Sequence, residues 1–158
     1  MDKWLFFIML CAALLGWFSH TVLSSIQFES PYAFVAAPER ISPADHLKED
    51  QIQVYDNYAV ISAPHLFWSK FTDTNSMDPT LDKEANAFEV KPQSSEEIHV
   101  GDIISYSLDR TLIIHRVIRI GEDKEGWYAI VKGDNNSSSD LEPVRFSQVN
   151  GVVVGILY

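Results

Sequence analysis

The sequence predicts a mostly β domain behind one N-terminal transmembrane helix. Two observations support this: a long apolar segment near the N-terminus, and a series of short runs rich in Ile, Val and Tyr that turn residues separate. Outside the apolar segment, no long stretch has the period of an amphipathic helix. The remainder is therefore expected to be a small sheet structure, twisted or partly closed.

The apolar segment runs from Trp4 to Ile26 and contains no acidic or basic side chain except His20. Because a helix rises about 1.5 Å per residue, this length spans a hydrocarbon core of roughly 30 Å. Lys3 precedes the segment and acidic residues follow it, so the positive-inside tendency predicts a cytoplasmic N-terminus. The chain is thus predicted to be a single-pass membrane protein whose large domain is extracytoplasmic. A signal peptide cleaved near "FVAA" is the alternative.

The predicted organisation has three parts: an anchor at residues 1–27, a tether at 28–50 rich in proline and mixed charges, and a β domain at 51–158. The run "QIQVYDNYAVISA", Gln51 to Ala63, alternates apolar and polar residues and predicts a half-buried strand. The aromatic run "PHLFWSKF" that follows is either core or a surface that touches a membrane or a partner. Further strands are predicted around Ala87, Phe88 and Val90 and in "HVGDIISYSL", "TLIIHRVIRI", "GWYAIVKG" and "VNGVVVGILY".

Charge and cysteine usage exclude several classes of function. The formal net charge of -10 repels phosphates, so no nucleic acid partner is expected. The single cysteine, Cys11, lies in the apolar segment, which leaves the main domain without a disulfide or a thiolate metal site. The histidines are scattered, with no pair at helical ligand spacing. We therefore predict no metal site and no cofactor.

The stretch "DTNSMDPTLD" places Ser76 in a loop rich in turn-forming residues. A serine acts as a nucleophile only beside a base, and histidine is the commonest base. His115 lies in "TLIIHRVIRI", on the same strand face as Ile113 and Val117. A histidine buried in such a run needs partners for its ring nitrogens, so it is either a catalytic base or a structural histidine.

The loop "KGDNNSSSD" supplies two carboxylates, Asp134 and Asp140, directly after a predicted strand. If that strand pairs near the His115 strand, either carboxylate could orient the imidazole. The alternative for each is an ordinary solvated loop acid.

Four blocks occur in order along the chain: "NSMDPT", "GDIISY", "IIHRVI" and "KGDNNSSSD". Together they resemble the type I signal peptidases of the archaeal and endoplasmic-reticulum branch, which are membrane-anchored serine proteases. The resemblance covers roughly Thr72 to Gly155. It implies a signal-peptidase-like β domain in which Ser76 is the nucleophile, His115 the base and Asp140, or else Asp134, the acid.

The resemblance also implies roles around the nucleophile. Thr74 would join the oxyanion hole beside the Ser76 backbone N–H, and Met77 would help to wall a shallow substrate pocket. The implied partners are signal-peptide-bearing precursors and membrane lipid, with a membrane complex possible. The chain departs from the family pattern where "DTN" replaces the small residues that often precede the nucleophile, and in a longer, more acidic segment between Pro79 and Gly101.

Other interpretations remain open. A catalytically inactive, membrane-tethered β domain would bind precursors or partner proteins without cutting them. A self-cleaving repressor would use a Ser–Lys pair with Lys132, but would need a DNA-binding module where the apolar segment lies. A secreted β protein would lose that segment by cleavage.

Overall fold

Strands dominate residues 40–158, which, with Trp4, are the residues that the computed structural model describes. Arg40–Tyr158 form one compact unit that contains three short 3-10 turns and no α-helix. The prediction of a mostly β domain is confirmed. The strands of this unit are β1 (Ile52–Val54), β2 (Ala59–Ile61), β3 (Leu66–Lys70), β4 (Asn86–Val90), β5 (Ile103–Leu108), β6 (Thr111–Asp123), β7 (Gly126–Lys132), β8 (Val144–Arg145) and β9 (Val149–Leu157).

The N-terminal predictions concern a part of the chain that the structure does not describe. The anchor at residues 1–27, apart from Trp4, and the tether up to residue 39 lie outside the described residues. Within the described residues, no helix is both long and apolar enough to cross a bilayer. The anchor and its topology stay predictions.

Seven of the strands form one antiparallel sheet in the order β3-β4-β9-β5-β6-β7-β8, and β1 pairs with β2 in a separate hairpin. The register shifts between Phe88 and Glu89, between Ser105 and Tyr106, and between Val117 and Arg119. Such irregularities bend a strand and increase its twist. These irregularities therefore bend the sheet.

The structure corrects one predicted strand. Gln51 to Ala63 does not form one half-buried strand, because the turn at Asp56 folds it into β1 and β2, whose side chains are mostly exposed. The aromatic run after it becomes β3, an edge strand on which Phe67 and Trp68 are exposed. The bend contains Asp, Asn and Tyr, of which Asp and Asn favour turns through local hydrogen bonds. An alternating apolar and polar pattern does not reveal such a turn.

The sheet buries a cluster of side chains on each face. Ile103 and Ile104 are neighbours on β5 and point to opposite faces, so Ile103 joins the Met77 cluster and Ile104 joins the other. His115 is opposite Ile104 in the β5–β6 pair and Arg116 is opposite Ile103. Directly opposed residues share a face, so His115 and Arg116 serve different faces of the sheet.

The last part of the predicted tether packs on the sheet. Arg116 donates to the backbone carbonyl of Ile41, and the carbonyl of Ser42 lies where a side chain at Gly101 would begin, 2.1 Å from an ideal Cβ. Gly101 also has φ of +104°, a conformation that glycine adopts without strain. Glycine at this position therefore allows the incoming chain to cross the start of β5 closely.

Candidate active site

Ser76 lies in the connection between β3 and β4, and two backbone contacts tie it to the turn after β7. The N–H of Asn135 donates to the Ser76 carbonyl at 2.9 Å, and the Asn135 side chain donates to the carbonyl of Asn75 at 3.0 Å. Met77 is 2% exposed and anchors the loop in the core. The Ser76 side chain itself is half-buried. The backbone of the predicted nucleophile is thus held while its hydroxyl keeps access to solvent.

Gly133 explains how closely the two loops approach. An ideal Cβ at Gly133 would lie 2.4 Å from the Ser76 carbonyl oxygen, which is far inside van der Waals contact. The β6–β7 register ends with Arg116 opposite Lys132, so one further step would bring Gly133 opposite His115. The Ser76 loop therefore packs on the glycine that follows β7, at the end of the strand pair that carries His115.

His115, on β6, and Asp140, in the loop after β7, form a pair. His115 is 7% exposed, and its Nδ1 lies 2.9 Å from the Asp140 carboxylate. The Asp140 backbone N–H donates to the Val131 carbonyl at 2.9 Å, which fixes the acid beside β7. A carboxylate on Nδ1 favours the tautomer that keeps its proton there and leaves Nε2 able to accept one.

Tyr106 is a third member of this network, and sequence reasoning missed it. Its hydroxyl donates to Asp140 and lies 3.4 Å from His115 Nδ1. Burial raises the pKa of Tyr106, and the hydrogen bond and charge of Asp140 raise it further, so the phenol keeps its proton and remains a donor. The sequence signals only that Tyr106 shares a strand face with Ile104, and the strand register then places His115 opposite Ile104.

Asp134, the other predicted acid, is not at His115. Its carboxylate accepts hydrogen bonds from Arg116 Nε at 2.8 Å and Nη2 at 2.7 Å, and from the Thr80 hydroxyl at 2.6 Å. Burial alone would raise the pKa of Asp134, but the hydrogen bonds from Arg116 and Thr80 hold it below its ordinary value. Asp134 therefore stays charged as the partner of a buried arginine.

The structure brings some predicted residues together and leaves others apart. Thr74 Oγ1 lies 3.1 Å from Ser76 Oγ, whereas no hydrogen bond joins Ser76 to His115. Met77 packs in the buried cluster with Ile103 rather than on an open wall. A cavity of about 260 Å³ adjoins Asp140 and Tyr106, with mostly apolar walls. The catalytic and substrate-binding roles of these residues stay predictions.

A group of possible metal ligands also forms, although the sequence predicts no metal site. His46, His99 and Asp102 place one nitrogen or oxygen atom each within 4.8 Å of the others. His99 and Asp102 lie three residues apart in the chain, and the fold brings His46 from a separate segment beside them. The position of His46, 53 residues before His99, is what the sequence does not signal.

Comparison with known proteins supports one partial similarity. No family model matches the chain. A segment of 46 residues is 44% identical to the signal peptidase complex catalytic subunit sec11 of Schizosaccharomyces pombe (strain 972 / ATCC 24843). The match covers 28% of this chain and 24% of that protein, so the chain spans about a quarter of this relative's length in the match. Part of the chain is thus similar to part of a signal peptidase catalytic subunit.

Proposed function

We propose that the protein is a membrane-anchored serine endopeptidase that removes signal peptides from exported or membrane precursor proteins. The observation that carries the proposal is the contact of 2.9 Å between His115 Nδ1 and Asp140, whose loop also donates the Asn135 N–H to the Ser76 carbonyl. The partial similarity to a signal peptidase catalytic subunit supports the same activity. Buried acid–base pairs and loop serines are each common in proteins. Their combination favours a hydrolase.

The first step brings the Ser76 hydroxyl to His115. In the structure this hydroxyl pairs with Thr74, so the Ser76 proton must be free of that contact before His115 can accept it. Hydrogen bonds of catalytic groups are often long or misaligned without substrate and tighten when it binds. Ser76 Oγ then attacks the scissile carbonyl carbon while its proton passes to His115 Nε2.

The tetrahedral intermediate carries its negative charge on the former carbonyl oxygen. The Ser76 backbone N–H and the Thr74 hydroxyl are the proposed donors to this oxygen, and one such donor contributes about 3 kcal/mol to catalysis in other hydrolases. The C–N bond breaks as His115 gives its proton to the leaving amine. Asp140 stabilises the imidazolium between these two transfers, and Tyr106 holds Asp140.

The acyl-enzyme at Ser76 is then released by water. His115 takes a proton from the water, the water oxygen attacks the ester carbonyl, and the Ser76 oxygen leaves with the proton returned by His115. The free enzyme is regenerated with no cofactor. The proposed anchor, residues 1–27, would hold enzyme and precursor in one bilayer and raise their effective concentration.

The domain boundaries, the extracytoplasmic location and the partners belong to this proposal as well. Residues 51–158 would form the catalytic domain, in contact with lipid and with precursors that emerge from the membrane. The matched relative is a subunit of a complex by name, so we include a membrane complex among the proposed partners.

The test is cleavage of a signal-peptide-bearing precursor by the full-length protein reconstituted in lipid. Ser76→Ala and His115→Ala should abolish processing while circular dichroism and melting temperature remain near wild type. Ser62→Ala and His65→Gln, at exposed positions, are the matched controls and should process normally. Equal cleavage by Ser76→Ala and wild type would contradict the proposal.

The alternative is a tethered β domain that binds precursors without cutting them. It predicts that the wild type leaves the precursor intact and retains it in a pull-down. Ser76→Ala should retain the same amount of precursor. A mass spectrum of the trapped acyl-enzyme at Ser76 distinguishes the two functions directly.

A further inference from the structure

The strongest unassigned feature is the group formed by His46, His99 and Asp102, which lies apart from the proposed nucleophile and base. Asp102 is fully buried, at 0% exposure. Its Oδ1 lies 3.0 Å from His46 Nε2, and its Oδ2 lies 3.7 Å from His99 Nδ1. Two imidazoles therefore face one buried carboxylate.

These separations fit a small metal ion. Zinc–nitrogen and zinc–oxygen bonds of about 2.0–2.1 Å put neighbouring ligands of a tetrahedral ion roughly 3.3 Å apart. The two contacts of 3.0 and 3.7 Å, made with the two different oxygens of Asp102, lie near that separation, and one ligand atom from each residue lies within 4.8 Å of the others.

His46 supplies a second, independent observation. Its Nε2 is buried but makes no hydrogen bond, although Asp102 Oδ1 is only 3.0 Å away. The distance is that of an ion pair, whereas the direction of the ring nitrogen misses the oxygen. Buried polar atoms are rarely left without a partner, and a bound ion is one of the explanations for such an atom.

Asp102 is already oriented for this role. The N–H of Ala44 donates to Oδ1 at 2.8 Å and the N–H of His99 donates to Oδ2 at 2.7 Å, which leaves one lone pair on each oxygen. Outer hydrogen bonds of this kind orient the ligands of metal sites.

The group opens into a cavity of about 480 Å³ whose lining includes His46, His99 and acidic side chains. Asp45, Glu96 and Glu97 line the same cavity and make it attractive to cations. Water or one of these carboxylates can complete the coordination. Two imidazoles and a carboxylate suit zinc and the neighbouring divalent transition metals better than magnesium or calcium, which prefer oxygen ligands.

We propose that His46, His99 and Asp102 bind a divalent transition metal ion, with zinc as the best fit. The ion would fasten the segment around His46 to the start of β5, beside the crossing at Gly101. Arg40 donates to the Asp134 carbonyl at 2.8 Å, so this segment also contacts the turn that holds the Ser76 loop. The metal site would therefore link the segment around His46 to the start of β5. The same segment, through Arg40, contacts the turn next to the candidate active site.

The experiment uses the untagged full-length protein in detergent, stripped with a chelator and then titrated with Zn²⁺ against a chromophoric competitor. We expect one equivalent to bind, with a rise in melting temperature, and Co²⁺ to give a visible d–d spectrum of low-symmetry coordination. His46→Gln and His99→Gln should each weaken binding by more than about 10-fold, since even outer-shell changes cost that much. His65→Gln, from the same cavity, should bind like wild type.

The His99 variant keeps the test decisive if the others fold poorly, because the His99 side chain is 56% exposed and contributes little to the core. Absence of stoichiometric Zn²⁺ binding by folded wild type would overturn the proposal. Unchanged affinity in folded His99→Gln would overturn it equally. Precursor cleavage is not needed for any of these readouts, so the site stands or fails separately from the proposed peptidase activity.

Discussion

Asp134 and Asp140 belong to one loop, yet they pair with neighbouring residues of β6 on opposite faces of the sheet. Asp134 meets Arg116, whose guanidinium stays charged at any physiological pH, and both are almost fully buried. Asp140 meets His115, and histidine is the side chain that most often serves as general acid or base. Two aspartates of one loop therefore have different roles. Asp134 forms a permanent ion pair that secures the loop, whereas Asp140 belongs to a pair that can take part in proton transfer.

The largest expected effect comes from Asp140→Asn. The amide cannot stabilise an imidazolium and disfavours the required tautomer, so kcat for precursor cleavage should fall by about 10⁴-fold, as it does in other triads. The free energy of unfolding should change by only about 1–2 kcal/mol, because Asp140 loses hydrogen bonds at a partly exposed position. Single-turnover cleavage and urea unfolding measure the two quantities.

Asp134→Asn should show the opposite pattern. Removal of one charge leaves Arg116 buried without its counter-ion, which destabilises folded proteins by roughly 3–5 kcal/mol. The cleavage rate per folded molecule should stay within about 10-fold of wild type. A variant that folds normally but cleaves as slowly as Asp140→Asn would reverse the assignment of the two acids.

The stability difference between wild type and Asp134→Asn should also depend on pH. The pKa of Asp134 is lower in the folded state than its ordinary value of 3.8, so its contribution to stability is complete above that value. It is lost as the pH falls through the folded pKa. Urea unfolding at a series of pH values should therefore show the gap between the two proteins narrowing below about pH 4, and a gap independent of pH would contradict the ion pair.

Gly133→Ala tests the junction between the two networks. The new methyl group would lie 2.4 Å from the Ser76 carbonyl, so the nucleophile loop must move. A displacement near 1 Å at reacting groups can cost about 100-fold in rate, and we expect kcat to fall by that order while the fold is retained. Gly155→Ala is the matched control, because its methyl group would meet Phe88 at an ordinary 3.6 Å.

The smallest effect is expected for Tyr106→Phe, which removes one hydrogen bond to Asp140 and keeps the ring. We expect kcat to fall by about 10-fold with KM unchanged, because the hydroxyl positions the acid and does not touch substrate. Tyr128→Phe on β7 is the control. An equal loss in both variants, or a change in KM alone, would argue against a positioning role for Tyr106.

Several strands of the fold could be predicted because their signals are local. Runs rich in Ile, Val and Tyr predict β5, β6, β7 and β9. This prediction does not require knowing which strands pair with them. The prediction failed at Gln51–Ala63, where a turn interrupts an alternating pattern. Sequence reasoning also selected Ser76, His115 and both acids, but it could not say which acid faces the imidazole.

The sequence by itself determined the residue types and the strand positions that place His115 beside a face rich in aliphatic side chains. Only the tertiary structure decided that Asp140 reaches His115 while Asp134 reaches Arg116, that Tyr106 holds the acid, and that Gly133 admits the Ser76 loop. It alone brought His46 to His99 and Asp102. The physical reason is that strand periodicity depends on neighbours along the chain, whereas register and loop contacts depend on which distant residues pack together.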